Sequence, residues 1–542
     1  MKRKNISLIV FLVIIVQCTP PQKDHGKSVF YYNEAEGITN LDPAFASNYE
    51  NIWWVSQIFN GLVQMDDNLN IIPCIAKGWS ISEDGLKYTF MLREDVYFQD
   101  NKCFKGHKGR LVKASDFSYS FSRILDKSVA SPGIWIFSHL DKENPFLAPD
   151  DTTFIVNLKQ NFTPFLSMLS MPYCNVVPHE ALTTYGPDFR ENPVGTGPFT
   201  FNFWIDNSRL SLLKNNNYFE KDENGNNLPY LDAISVSFVK DRSNMFLDFL
   251  KGEYDMISSL HPAYKDQLLN EDGTLSEVYA DRYYLLKQPY LKTDYLGILV
   301  DDSLSLSTNS PLANKKVRQA MSCAINKESM VRYIRNNTCS AANSGFVPKG
   351  LSSFNENLKS YEYDPQRARD LLSEAGYPDG LKDIRLSTTS AYVELCQFVQ
   401  HEFEQVGIEL SIDVLPTSNH RQGVANSNIM FFRKSWIADY PDSENFLALF
   451  YSKNYSPKGA NYTHYKNDLY DRLYEESIIE RDPVERNKLY QSMDSMIVED
   501  VPLIPLLYDQ VVRFVSKDIE GLESDGMNSL KLKRVRKVIS EI

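Results

Sequence analysis

Between Arg433 and Phe446 the sequence reads RKSWIADYPDSENF, which places two cations, an indole, a tyrosine, two aspartates, a glutamate and a proline within fourteen residues. Apolar segments flank it, Ile429 to Phe432 before and Phe446 to Tyr451 after. A polar, aromatic-rich loop held between buried elements is a natural place for a binding site. Asp439, close to the ring of Trp436, reads as an anchor for a cationic group of a ligand. The same residues admit a plainer reading, a surface turn started by Tyr440-Pro441-Asp442 whose charges are solvated.

Other chemistries lack their residues. No G-x-S-x-G occurs, and His401-Glu402, which opens a zinc-protease pattern, is followed by Gln405 where a second histidine belongs. Eight histidines are scattered without ligand spacing, and there is no glycine-rich dinucleotide fingerprint. Residues 222–232 (DENGNNLPYLD) suggest a calcium loop, but glycine stands fourth rather than sixth and no glutamate stands twelfth, so the segment reads as a turn. Asn192 to Phe199 (NPVGTGPF) has no G-K-[ST], so it is no phosphate loop; the glycines around Thr196 permit close backbone approach. Carboxylates are too numerous for a glycosidase pair to stand out. The chain therefore reads as a non-enzyme, with no catalytic residue, metal set or cofactor to name.

A chain of 542 residues suggests roughly two to four domains at about 100–200 residues each. Seventy acidic against 57 basic residues give a net charge of −13, which argues against a general nucleic-acid binder. At the N-terminus Lys2, Arg3 and Lys4 precede the apolar run Ile6 to Val16. That run is too short for a spanning helix, which needs about 20 residues, and reads as an export signal. It ends at Val16-Gln17-Cys18, which resembles the lipobox of bacterial lipoproteins, with Cys18 as the lipid-bearing mature N-terminus. Gln17 is bulkier than the small residue usual there; a plain export signal with an incidental cysteine is the alternative. The expectation is a lipoprotein facing the periplasm or cell exterior. Cys74, Cys103, Cys174, Cys323, Cys339 and Cys396 show no C-x-x-C spacing, and no disulfide pairing follows from sequence.

The elements that must position the central stretch follow from periodicity. Val29 to Tyr32 reads as a strand. Leu86, Tyr88, Phe90 and Leu92 alternate with polar neighbours after the turn dipeptide Asp84-Gly85, which makes a hairpin with Trp79 on the buried face. Ala114 to Leu125 reads as a helix, with Ser115 as its cap, and Thr153 to Leu158 as a strand. From residue 311 helices predominate: Lys316 to Ala324, one starting at Asp364-Pro365, and one after Asp482-Pro483. Strand-like runs Ile384–Leu386, Leu410–Val414 and Ile504–Leu507 lie between them, so α/β layers are expected.

Short pieces along this framework, in order, resemble the solute-binding lipoproteins of peptide ABC importers, the family 5 or dipeptide- and oligopeptide-binding type. They include Leu41-Asp42-Pro43-Ala44, Gly61-Leu62-Val63, Asp84-Gly85 with Tyr88-Thr89-Phe90, Ala114 with Asp116, and Asn192 to Phe199. Arg318-Gln319-Ala320, Trp436 with Ala438 to Asp442, and Pro502 to Pro505 complete the set. The resemblance implies an α/β, two-lobed periplasmic-binding-protein-like fold (class II, cluster C type) with an extra inserted domain, closing by hinge motion. Carried over, it gives a signal peptide (1–17), a tether (18–26), a first lobe in three parts (27–62, 190–286, 506–542), an inserted domain (63–189) and a second lobe (287–505). It implies that Asp439 pairs with a peptide α-ammonium, because burying an unpaired ammonium is costly. Main-chain hydrogen bonds of the added-strand kind would then read length rather than side chains, with Gly37 and Ile38 as candidates. Arg433 is implied as a partner for the peptide's C-terminal carboxylate, with Lys434 as its substitute. Trp135 and Tyr440 are aromatic candidates for which core or rim packing is an equal reading. The implied partners are a di- or oligopeptide and an ABC permease, with a lipid anchor, no nucleic acid, and a monomeric protein.

Two alternatives stand beside this. The same fold serves non-peptide solutes, including oligosaccharides, metal chelates, haem and glutathione. From another class, a surface lipoprotein hydrolase using scattered carboxylates would turn over peptides or glycosides. The run Lys531 to Lys537, five cations in seven residues, faces anionic lipid or the permease on one reading and is a solvated final strand on the other.

Overall fold

The computed structural model describes residues 27–258, 264, 267–308 and 310–538; the signal segment, Cys18 and most of the tether lie outside them. Val29–Asn33 pairs in parallel with Ala233–Ser237, and the hairpin Phe199–Ile205 and Arg209–Lys214 completes a four-stranded sheet. A second four-stranded sheet runs Ala76–Ile81, Lys87–Leu92, Thr153–Asn157, Phe146–Leu147. Its hairpin turns at Gly85, φ +72°, and buries Tyr88, Phe90 and Leu92. Phe117 and Phe121 of the helix Ala114–Leu125 pack on Phe154 of that sheet. The cap of this helix is not Ser115. Lys113 is the N-cap, and Asp116 reaches back to accept its N–H at 2.8 Å, because a carboxylate on the first turn can serve that orphan donor. Both sheets share one hydrophobic core, with Phe30, Trp54, Phe90, Phe117 and Phe199 all buried in it.

A seven-stranded sheet, whose Phe431–Ile437, Leu381–Thr388 and Ile408–Val414 side carries the second core, runs in the order Met256–Ser258, Leu503–Ser516, Tyr283–Ile298, Phe431–Ile437, Leu381–Thr388, Ile408–Val414, with Cys339–Ala341 added beside Leu503–Ser516. Helices starting at Lys315, Pro365 and Pro483 surround it, the last two capped by Asp364 and Asp482. The long antiparallel strands Tyr283–Ile298 and Leu503–Ser516 cross from one lobe to the other. Tyr284, Leu286 and Val515 pack with the first core, and Leu296 and Ile504 with the second. Their ladder is interrupted between Pro289 and Thr293, near the crossing.

Several family-like motifs are scaffolding. Gly195 and Gly197 lie against the end of the helix Tyr49–Ile58. A Cβ on Gly195 would stand 2.1 Å from the Ile58 carbonyl oxygen, so glycine is required by contact. Asp42 accepts the Ala44 N–H at 3.0 Å and pairs with Arg123, which ties the first lobe to the helix Ala114–Leu125. Arg318 donates to the carbonyls of Leu312, Ala313, Asp500 and Val501 at 2.7–3.1 Å.

The basic run near the C-terminus ends in the short strand Arg536–Lys537, in which Arg536 is exposed, and each of its five cations has an acidic partner. Lys531 pairs with Asp67 and Asp525, Lys533 with Glu220, Arg534 with Glu223, Arg536 with Asp222 and Lys537 with Asp255. The six described cysteines are free, and five are buried. No helix among the described residues is long and apolar enough to cross a membrane.

Candidate functional site

Phe431–Ile437 is a strand whose alternation sends Arg433 to one face of the sheet and Lys434 and Trp436 to the other. Beyond it the chain turns into the short helix Glu444–Leu447. Tyr440, Asp442, Ser443, Glu444 and Asn445 are all buried, so the solvated-turn reading fails. Asp442 is held by Tyr490 Oη at 2.9 Å and Arg486 at 3.4 Å. Asp439 is the one exposed residue of this loop, with Pro441 half-buried. Its charge nonetheless reaches the hydroxyls of Tyr49 from the first lobe, Tyr173 from the segment beside the second sheet, and Tyr462 from the second lobe. The carboxylate is thus exposed at a place where tyrosines from three parts of the chain feel its charge, and the surrounding protein displaces water from around it. That crowding raises its pKa, against an opposing hydrogen bond from Asn445 Nδ2 at 3.2 Å.

Asn445 also accepts the Trp436 Nε1–H at 3.0 Å and the Asp439 N–H at 3.1 Å. Below, Tyr440 and Tyr474 donate their hydroxyls to Glu444. Burial pushes the Glu444 carboxyl up to about 7, with Asp442 and Asp439 adding to the effect and the two tyrosine bonds opposing it. The Tyr440 ring meets Trp135 at 6.1 Å between centroids, and Trp135 remains 37% exposed. Asp439, Trp436, Tyr440 and Trp135 are therefore brought together.

Arg433 is elsewhere. It is 5% exposed, bonded to Asp294 Oδ1 at 2.5 Å and stacked 3.1 Å from the Tyr392 ring centroid. Asp294 lies 3.7 Å from Lys292, Lys292 binds Asp509 at 2.5 Å, and Asp509 binds Arg335 at 3.0 Å. Burial works against the charge on Asp294, but Arg433 and Lys292 overcome it and hold its carboxyl well below the usual range. Three cations thus share two carboxylates. Lys292, Arg335, Tyr392 and Asp509 border a cavity of about 310 Å³ together with Tyr290 and Gln510. One further carboxylate, Glu394, borders it too, but that residue is exposed and outside the buried chain of pairs. Tyr49 links the two ends. Its ring meets the edge of Tyr290 at 6.4 Å between centroids, and its pKa, raised to about 12 chiefly by burial, is pushed up by Asp439 and down by Lys292.

Lys434 lies over the Tyr462 ring at 3.5 Å, and burial first, then Arg421, pushes its pKa down to about 8. Gly37 takes a left-handed φ of +76° with open space beside it, whereas Ile38 buries its side chain in the first core. A larger cavity of about 380 Å³, between the first lobe and the C-terminal segment, is lined by Glu220, Lys531, Lys533 and Arg534, whose charges pair internally. The residues that sequence reasoning missed are Tyr49, Lys292, Asp294, Arg335, Tyr392, Asn445 and Asp509. One signal was present: Lys292 and Asp294 are charges two apart in the run Tyr290 to Ile298, which is apolar but for them and Thr293, so each needs a partner.

The family model for bacterial extracellular solute-binding proteins, family 5 Middle, matches residues 70–458. The glutathione-binding protein GsiB of Escherichia coli O157:H7 is 27% identical over 527 residues, covering 95% of each chain. Among solved structures, the periplasmic binding protein DppA from Helicobacter pylori in complex with the peptide STSA aligns at a TM-score of 0.77 and 26% identity, over 95% of this chain and 99% of that one. The periplasmic oligopeptide-binding protein OppAIV of Borrelia burgdorferi aligns at 0.72 and 26%, over 94% and 100%.

Proposed function

The chain belongs to the bacterial extracellular solute-binding proteins of family 5, and from that premise we propose that it captures a short peptide between its lobes and delivers it to the permease of an ABC importer. The observation that carries the reading is Asp439. It is a carboxylate with free surface, crowded by protein, with no cationic partner among the described residues. A ligand ammonium completes it, since an unpaired charge in such surroundings is costly. The excess cation of the Arg433–Asp294–Lys292–Asp509–Arg335 chain supplies the opposite pole, suited to a carboxylate. Tyr49 and Tyr290 stand between the poles. Gly37 and the backbone of Ile38 are main-chain partners in this reading, and Trp135 and Tyr440 form the aromatic wall on which closure acts. Cys18 carries the lipid, so the protein is tethered outside the cytoplasmic membrane, and Cys18→Ser releases it into the soluble fraction.

Native mass spectrometry of the purified protein, with fragmentation of what is released, tests the class. Short peptides of similar length support it; a glycan or metal chelate keeps the fold and removes the ammonium role of Asp439. A second reading has its own support. Three cations against two carboxylates favour a ligand with additional negative charge, and glutathione, named for the GsiB relative, is a γ-linked tripeptide with one ammonium and two carboxylates. Calorimetric titration with glutathione and with trialanine separates the two.

A further inference from the structure

We propose that Asn445 is the positioning residue of the ammonium subsite: one carboxamide fixes Trp436 and Asp439 as a unit and turns the carboxylate toward the ligand. This rests on the reading of Asp439 as the anchor. Asn445 Oδ1 receives two donors, the Trp436 Nε1–H at 3.0 Å and the Asp439 N–H at 3.1 Å, and its Nδ2 donates to Asp439 Oδ2 at 3.2 Å. Both groups aimed at the oxygen are donors and the group facing the nitrogen is a carboxylate, so the partners dictate the amide's orientation.

The residue type is specified by this geometry. The position needs an acceptor for two N–H groups and a donor for one carboxylate, within one short side chain. An apolar residue orphans both N–H groups. An aspartate satisfies them but sets a like charge beside Asp439. Glutamine carries the right groups on a longer arm. Asn445 is itself held rigidly: it is 5% exposed, its N–H donates to the Asp442 carbonyl at 3.1 Å, and its neighbour Ser443 is bonded to Ser353 at 2.6 Å. The amide occupies only Oδ2 of Asp439, which leaves Oδ1 for the ligand. Burial favours the protonated carboxyl of Asp439, and the Asn445 bond is the contact that opposes it.

The test uses the full mature chain with ¹⁵N-labelled indoles. It has six tryptophans, and Trp436→Phe identifies the Trp436 signal. The Trp436 N–H resonance is expected to titrate with Asp439, and Asp439→Asn to abolish that titration. Asn445→Asp, nearly isosteric, should leave the resonance in its hydrogen-bonded position but move the midpoint to higher pH. Asn445→Ala should displace the resonance and speed its exchange. In calorimetry, Asn445→Asp should cut the preference for trialanine over N-acetyl-trialanine by about tenfold or more, the worth of a hydrogen bond to a charged group. If Asn445→Asp leaves both the titration and the preference unchanged, the assignment is wrong. If the parent does not distinguish the two peptides, the anchor reading fails, and the indole titration still decides whether Asn445 holds Asp439.

Discussion

Replacing Asp439 with asparagine keeps the shape of the side chain and removes its charge. At about 4 Å and an effective dielectric near 20, a carboxylate–ammonium pair is worth about 4 kcal/mol before solvation is counted. Asp439 keeps accessible surface, so it gives up water when the ligand arrives, and roughly half of that attraction is lost. The expected net cost is about 2 kcal/mol, or about 30-fold in Kd. Titration calorimetry at pH 7.5 with trialanine and N-acetyl-trialanine isolates the ammonium: only the free-amine peptide should weaken. pH adds a second signature. The carboxyl of Asp439 titrates above the ordinary aspartate range, so the parent's affinity should begin to fall at a higher pH than an exposed aspartate would give, while the variant's does not. Stability runs the other way. A raised carboxyl favours the folded state at low pH, and that contribution is lost as pH rises through the folded value. The unliganded variant should therefore melt at or above the parent at pH 7.5, which separates lost affinity from misfolding. A variant that binds the free-amine peptide within about threefold of the parent refutes the electrostatic argument.

Four further outcomes are expected. Gly195→Ala forces a Cβ against the Ile58 carbonyl and should cost about 1–3 kcal/mol in chemical denaturation, with no effect on ligand preference in the protein that folds. Arg335→Gln removes one of the three cations and should reduce the preference for trialanine over its C-terminal amide by about tenfold in calorimetry. Away from Asp439, Arg481 donates to the Ser82 and Glu83 carbonyls, and the Thr163 N–H to Ile478, linking the second sheet to the second lobe. Arg481→Ala should widen the particle in X-ray scattering and weaken every ligand alike, by a few-fold, as loss of a closure contact requires. Burial raises Glu444 and Asp494 to about 7, and burial with Glu50 raises Glu34 to about 8. Their stabilising contribution is full below the unfolded values near pH 4 and is lost as pH rises from there through the folded values, at up to about 1.4 kcal/mol per pH unit each, so Asp494→Asn should flatten the fall in melting temperature between about pH 4 and 7.

The readable parts of the fold were those whose cause is local. The hairpin at Asp84-Gly85, the helix Ala114–Leu125 and the Asp-Pro starts at 364 and 482 each announce themselves within a dozen residues, because periodicity and capping act at that range. The cap at Lys113 was misread because Asp116 serves it from inside the helix, where a side chain's direction cannot be seen in sequence. The ion pairs of the basic C-terminal run were illegible for a related reason: its acidic partners at 67, 220, 222, 223 and 255 come from distant segments.

The site shows the same limit, with a chemical consequence for Arg433. Strand pairing sets Asp294 opposite Ser435 and Leu296 opposite Arg433, so Arg433 meets a carboxylate supplied 139 residues earlier in the chain. A guanidinium already bonded to Asp294 and stacked on Tyr392 does not offer its whole charge to a ligand. On the function proposed above, recognition of an anionic group would fall to the surplus of the whole chain of pairs, and most directly to Lys292 and Arg335, which border the cavity. Removing Arg433 alone leaves Asp294 buried with Lys292 as its remaining cation at 3.7 Å. Breaking a buried pair this way costs about 3–5 kcal/mol. Arg433→Met should accordingly lower the melting temperature sharply, whereas Arg335→Gln, at a position 28% exposed, should change selectivity with little loss of stability. The opposite ranking in a thermal-shift and calorimetry comparison would mean that Arg433 releases Asp294 on binding and holds the ligand itself.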